Sequence, residues 1–307
     1  MVAYDESAQG ENASSNLKCE VRFTDLNSNT ELSAEDVPGS VIETLTILAS
    51  VALSEAKRCV LLLDEPALNL HPTMQRKLSN ELLTLPNVQE PRSMGYQLFI
   101  VTHSPYFLPA DTMGLRSIVR IARSGSVAEL HIPKSGLDLD EVGEALRRYP
   151  QLRSALFARK VILMEGYNEE AALPVWFDKC DGKAQFDTRN IMFVNVMGQG
   201  SFVKFSKILG MWGIPCIGIG DAKNDREVRA EGTGNFRLYT YPRCDLSELY
   251  QSDGYKEVYE RVCVDIGVTP CKENKNPLVA RIFAERTDPP EEIRRLWESI
   301  KSFVVEP

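Results

Sequence analysis

Two kinds of apolar pattern alternate along the chain. Unbroken apolar runs at 60–63 and 98–101 read as short strands, the first buried on both faces as in a parallel sheet. Runs at 160–164, 191–196 and 216–220 read as three more strands. Apolar residues at three- and four-residue steps predict helices over 41–53, 68–85, 139–149, 169–180, 255–267, 277–286 and 290–303, and another running to Met211. Pro72 lies near the start of the second helix and Pro86 closes it, while Pro150 breaks the third. A short strand and turn is expected over 21–29 and a loop over 87–96. Residues 117–123 and 127–132 flank Ser124-Gly125 as a hairpin. Strands alternating with helices predict parallel α/β sheets. The pattern changes near 150–159, giving one domain over 21–155 and a second over 156–307 that ends in helices; residues 1–20, polar throughout, read as a mobile end or the start of a fragment.

A length of 307 residues suits two domains, and 43% hydrophobic with 25% charged residues describes an ordinary globular chain. No apolar run approaches the roughly 20 residues that cross a bilayer, and the N-terminus lacks a charged-then-apolar signal segment. A soluble, intracellular protein without a membrane partner is expected. The seven cysteines are scattered without a CxxC pair, which reads as reduced thiols and not as a disulfide framework or a zinc site. A net charge of -8 argues against a broad basic footprint for nucleic acid. It leaves room for locally acidic, cation-binding nuclease sites.

Chemistry gathers where the strands end. The run at 60–63 leads into Asp64 and Glu65, and the next into Thr102, His103 and Ser104. Ionised carboxylates at the end of a buried strand need a metal or a hydrogen-bonding partner. Ligands of open α/β sheets bind beyond such ends, so Asp64, Glu65 and His103 are expected around one pocket. A second constellation follows. The strand at 160–164 ends at Glu165-Gly166, Glu169 opens the next helix, 191–196 runs into Gly198-Gln199-Gly200-Ser201, and 216–220 ends at Asp221. A strand-end carboxylate, a glycine turn and a helix-start carboxylate converge on one edge, where oxygen ligands suit Mg²⁺ or Mn²⁺.

The first constellation, LLLDEPALNLHP with THSP, resembles the Walker B strand and switch histidine of ABC-type ATPases, most closely the RecF/SMC-like group. The resemblance implies that Asp64 helps to hold Mg²⁺, Glu65 positions the attacking water and His103 senses the γ-phosphate. Gly39 and Ser40, opening the helix before Walker B, faintly echo the family's nucleotide-facing signature, and a plain helix N-terminus explains them as well. No GxxxxGK[ST] loop occurs, so the expectation is a partial P-loop ATPase sheet that binds ATP only in a complete head. Dimerisation through such heads is expected by the same likeness.

The stretch LFARKVILMEGYNEEAALPVWF resembles the start of a Toprim domain in the OLD (overcoming lysogenisation defect) family, which joins an ABC ATPase to a Toprim nuclease in this order. That resemblance implies an ATPase-coupled, divalent-metal-dependent DNA endonuclease. Glu165 takes the place of the first catalytic Glu, Glu169 that of a metal carboxylate, and Asp221 that of the first Asp of a DxD pair. Lys223 stands where the second Asp belongs, with Asp225 two residues on. Asp245 and Glu248 match further ligands, and Lys275 a residue that steadies the cleaved phosphate. The alternatives are a non-catalytic Toprim-like nucleic-acid-binding or regulatory protein, weakened at Lys223, and an ATPase subunit completed by another chain.

Overall fold

The computed structural model describes residues 22–25, 28–33, 35–53, 59–84, 96–133, 138–182, 185–198, 201–221, 236–241, 246–271 and 274–306. The chain divides into two compact units, Met1–Phe107 and Leu108–Pro307. The change of pattern at 150–159 therefore falls inside the second unit. The expectation for residues 1–20 lies outside the described residues.

In the first unit, β1 (Phe23–Asp25) and β2 (Thr30–Leu32) form an antiparallel pair, followed by α1 (Gly39–Leu53). Strands β3 (Cys59–Asp64) and β4 (Tyr96–Val101) run parallel, joined through α2 (Pro72–Leu83). Helix α2 starts later than its apolar spacing predicts. Pro72 takes the first helical position, where its missing N–H costs nothing, and His71 Nδ1 accepts the Thr73 N–H at 3.3 Å. Leu61, Leu63, Leu98 and Ile100 pack with Ala67, Leu70, Leu78, Leu82 and Phe107. Among the described residues the opposite face is open: Val60, Leu62, Phe99 and Val101 are all exposed, Leu62 by 73%. This corrects the expectation of burial on both faces. Side chains alternate across a strand, and among the described residues only one face of the pair has a covering layer.

The second unit opens with α3 (Thr112–Ser117) and the hairpin β5 (Arg120–Ser124) and β6 (Val127–His131). That hairpin pairs with no other described strand, whereas the sequence pattern sets it at the end of the ATPase sheet. Its inner face instead packs within the second unit. Arg120 donates to the carbonyls of Trp212 and Ala158, and the His131 ring occupies the space where a side chain on Gly213 would lie.

Helices α4 (Leu139–Arg148) and α5 (Pro150–Ala155) come next. Pro150 ends one helix and opens the other, because a residue without an N–H fits a first turn and not an interior. Then come β7 (Lys160–Met164), α6 (Tyr167–Asp181), β8 (Ile191–Asn195), α7 (Ser201–Met211), β9 (Cys216–Asp221) and β10 (Arg237–Tyr241). A short 3-10 turn, Leu246–Gln251, leads to α8 (Lys256–Asp265), α9 (Pro277–Arg286) and α10 (Glu291–Val305).

The four strands form one parallel sheet in the order β10-β9-β7-β8. Strand β10 was not anticipated from the sequence. Alternation along β7 divides the core in two. Ile162 and Met164 face the layer of α6, α8, α9 and α10, with Trp176, Phe283 and Trp297. Val161 and Leu163 face α4, α5 and α7, with Phe205 and Trp212. Two covered faces are what a parallel sheet requires, and the closing helices supply one of them.

Cys216, at the start of β9, reports on this packing. Burial pushes its thiol up to about 12, while Cys271 is exposed. Since the thiolate is the reactive form, a rise of that size leaves roughly a thousandfold less of it at pH 8. Alkylation at pH 8 followed by peptide mapping is expected to modify Cys271 and to spare Cys216 until the chain is denatured. Equal rates at both would contradict the packing.

Candidate functional site

The carboxyl ends of β7 and β9, the two central strands, bring an acidic edge together. Glu165 directly follows β7 and Asp221 ends β9. The Asp221 backbone N–H donates to Glu165 Oε2 at 3.3 Å. Gly166 caps α6, which places Glu169 in its first turn, where the helix dipole favours a carboxylate. Glu169 is only 7% exposed and Asp221 only 4%. The turn after β8 closes the edge from the other side. Gly198 donates to the Glu165 carbonyl at 3.2 Å with φ +110, a conformation that favours glycine. Gln199 and Gly200 lie outside the described residues.

One member of this edge escaped sequence reasoning. Tyr241 ends β10 directly opposite Asp221 and donates from its hydroxyl to Glu169 Oε1 at 2.7 Å. It is 2% exposed. Burial first, then the charges of Glu169, Glu165 and Asp221, push its hydroxyl well above the usual tyrosine value. Three negative groups therefore act on one buried phenol, which stays a donor. The signal that could have found it is the β-forming stretch RLYTY, whose partner strand is remote in sequence.

The outer candidates divide. Lys275 is exposed, but its neighbour Asn274 is tied to the start of α6: the buried Asn168 side chain donates to the Asn274 carbonyl at 2.7 Å. Lys275 thus sits one residue from a backbone fixed beside Glu169. Glu248 lies exposed on the 3-10 turn. Asp225, Asp245 and Lys223 lie outside the described residues. A separate cavity of about 490 Å³, lined by Glu170, Asp187, Asn190 and Phe193 among others, includes none of Glu165, Glu169 and Asp221. Burial raises the Glu170 carboxyl, and the neighbouring Asn195 side chain partly offsets this.

For a divalent cation, the edge fits in donor type: the groups are carboxylate oxygens on rigid strand and helix ends. Among the described residues, however, no three His, Cys, Asp or Glu side chains stand close enough together to cage an ion. The set provides a partial shell, with Glu165 beside Asp221 and Glu169 turned to Tyr241.

In the first unit, Glu65 follows β3 and His103 follows β4. The Glu65 N–H donates to the Val101 carbonyl at 2.8 Å, and Glu65 holds φ +47, an uncommon value for a side-chain-bearing residue. Its two carboxylate oxygens meet His103: Oε1 contacts the ring Nδ1, and Oε2 accepts the His103 N–H at 3.3 Å. Thr102 and Ser104 shape this turn. Thr102 Oγ1 accepts the Ser104 N–H at 3.0 Å, and the buried Ser104 hydroxyl donates to Gln75 Oε1 at 2.7 Å. Asp64 is exposed at the end of β3, in register with Val101. Gly39, exposed, and Ser40, half-buried, open α1, and Ser40 contributes its carbonyl to the Thr44 hydroxyl. The pairing of Glu65 with His103 is thus formed.

Comparison with known proteins divides the chain along similar lines. Residues 156–222 match the family described as overcoming lysogenization defect protein-like, TOPRIM domain. Residues 4–108 match an AAA domain family described with the AbiEii toxin of type IV TA systems. The Old nuclease of Escherichia phage P2 is 31% identical over 172 residues, covering 52% of this chain. This chain spans only 27% of that relative's length. Two solved structures overlap it. The C-terminal region of the Xanthomonas campestris pv. campestris OLD protein has a TM-score of 0.35 at 18% identity, covering 48% of this chain and 97% of that one. The C-terminal region of the Burkholderia pseudomallei OLD protein has a TM-score of 0.32 at 19% identity, covering 48% and 100%. No helix among the described residues is long and apolar enough to cross a membrane.

Proposed function

We propose that this chain joins an AAA-type ATPase region to a Toprim domain of the OLD-like family and serves as the nuclease-bearing part of a divalent-metal-dependent DNA endonuclease. The observation that carries the reading is the placement of Glu165 and Asp221 at adjacent parallel strand ends, one accepting a hydrogen bond from the backbone of the other. Glu165 and Asp221, with Glu169, are the residues that would hold Mg²⁺ or Mn²⁺. Such an ion, when bound, polarises a phosphoryl oxygen and lowers the pKa of water. Within the chain, β7 and β9 fix where the carboxylates stand, and the first turn of α6 adds a third at the same edge. Lys275, tied near α6 through Asn274, supplies a cation for a phosphate of the DNA backbone.

In the first unit, Glu65 orients His103, as a water-positioning carboxylate and a γ-phosphate sensor would be paired, with Asp64 as the Mg²⁺ residue beside them. ATP hydrolysis belongs to a complete head, and heads of this kind work as dimers. Gly39 and Ser40 would face nucleotide only there.

The test is nicking of supercoiled plasmid by the full chain with Mg²⁺ or Mn²⁺. Cleavage that requires the ion and stops with EDTA is expected, and cleavage unaffected by EDTA would sink the reading. A second reading has its own support: Lys223 replaces an acidic ligand and the described carboxylates do not cage an ion. On that reading the Toprim unit binds nucleic acid without cutting it, and retained DNA binding with no ion-dependent cleavage would favour it.

A further inference from the structure

We infer that Tyr241 and Gly166 are positioning residues for Glu169: a buried hydroxyl and an absent side chain together fix the carboxylate that the acidic edge offers to a divalent cation. The inference rests on the metal reading above and deepens it.

The geometry is specific to each oxygen. Tyr241 donates to Glu169 Oε1 at 2.7 Å. Glu169 Oε2 lies 2.8 Å from where a Cβ on Gly166 would stand. One oxygen is therefore held by a donor, and the other occupies space that any side chain at position 166 would take. Gly166 has φ −142, extended backbone open to any residue, so a side chain here would act by pushing the Glu169 carboxylate aside and not through the backbone. Tyr241 reaches the carboxylate because β10 pairs with β9, setting Tyr241 against Asp221. A hydrogen bond to an ionised group is short and strong, and in a buried site it also offsets the cost of keeping the carboxylate charged. Partners that orient metal-binding side chains typically change metal affinity by about 10–100-fold when removed.

The experiment is Mn²⁺ binding to the full chain by calorimetry, without DNA. Tyr241→Phe keeps the ring that packs in the core and removes only the hydroxyl. Its Mn²⁺ affinity is expected to fall about tenfold or more, with an ion-free melting temperature close to wild type. Gly166→Ala is expected to weaken binding in the same direction by displacing Glu169, and it provides an independent route should Tyr241→Phe fold poorly. A cycle with Glu169→Gln separates positioning from packing, because Tyr241→Phe should cost little further affinity once Glu169 is changed. Wild-type affinity in both Tyr241→Phe and Gly166→Ala overturns the inference, as does a full tenfold loss from Tyr241→Phe in the Glu169→Gln background. If the wild-type chain takes up no Mn²⁺, or uptake is unmoved by Glu165→Gln with Asp221→Asn, the metal reading itself fails and this one with it. Uptake that responds to those two changes and not to Tyr241→Phe or Gly166→Ala removes the positioning role alone.

Discussion

Changing Glu165 to Gln and Asp221 to Asn together should lower ion-dependent plasmid nicking by on the order of a hundredfold or more, since polarisation by a bound ion is worth several kcal/mol. The fold should survive. Both replacements keep their volume, and Gln at 165 still presents an oxygen to the Asp221 N–H now at 3.3 Å. What they remove is negative charge at an edge where Asp221 is 4% exposed and has little water to replace a lost cation. Nicking rates measured across a range of Mn²⁺ concentrations check the first part, and the ion-free melting curve checks the second. Wild-type cleavage by the double variant would place the chemistry elsewhere in the chain. A collapsed melting curve would instead mean that the two carboxylates hold the sheet together.

The largest expected effect on stability comes from Trp297→Ala. Trp297 is fully enclosed on α10, with its ring centroid 5.5 Å from Phe177 and 6.3 Å from Phe186. It belongs to the layer that covers one face of the sheet carrying the acidic edge. Truncating a buried Trp costs about 3–5 kcal/mol in lost transfer and cavity terms. A domain has roughly 5–15 kcal/mol in all, so a substantial share of the margin of the second unit would go. Urea unfolding followed by far-UV circular dichroism should show the midpoint drop accordingly. A change under about 1 kcal/mol would mean that α10 is not a structural layer of this unit.

Both constellations were legible through local rules. Glu165, Glu169 and Asp221 could be read because each follows from a local rule: a strand ends, a glycine turns, a helix begins with an acid. The pairing of Glu65 with His103 was legible for the same reason, as two short apolar runs each finishing in a polar motif. Pro150 shows a local rule applied halfway, since the proline that stops one helix is well suited to start the next.

The linear order of residues settled most of the strands and helices (though not β10), the parallel run of strands that alternate with helices, and which carboxylates stand at strand ends, because these depend on neighbours a few positions apart. Tertiary structure alone decided that Tyr241 joins Glu169, 72 residues away, since that contact needs β10 to add beside β9. It likewise decided that, among the described residues, one face of β3 and β4 stays open, because alternation places side chains on two faces but says nothing of what covers either. Local propensity is written in the chain, while the choice of partner across a sheet is made by the energy of the whole packed unit.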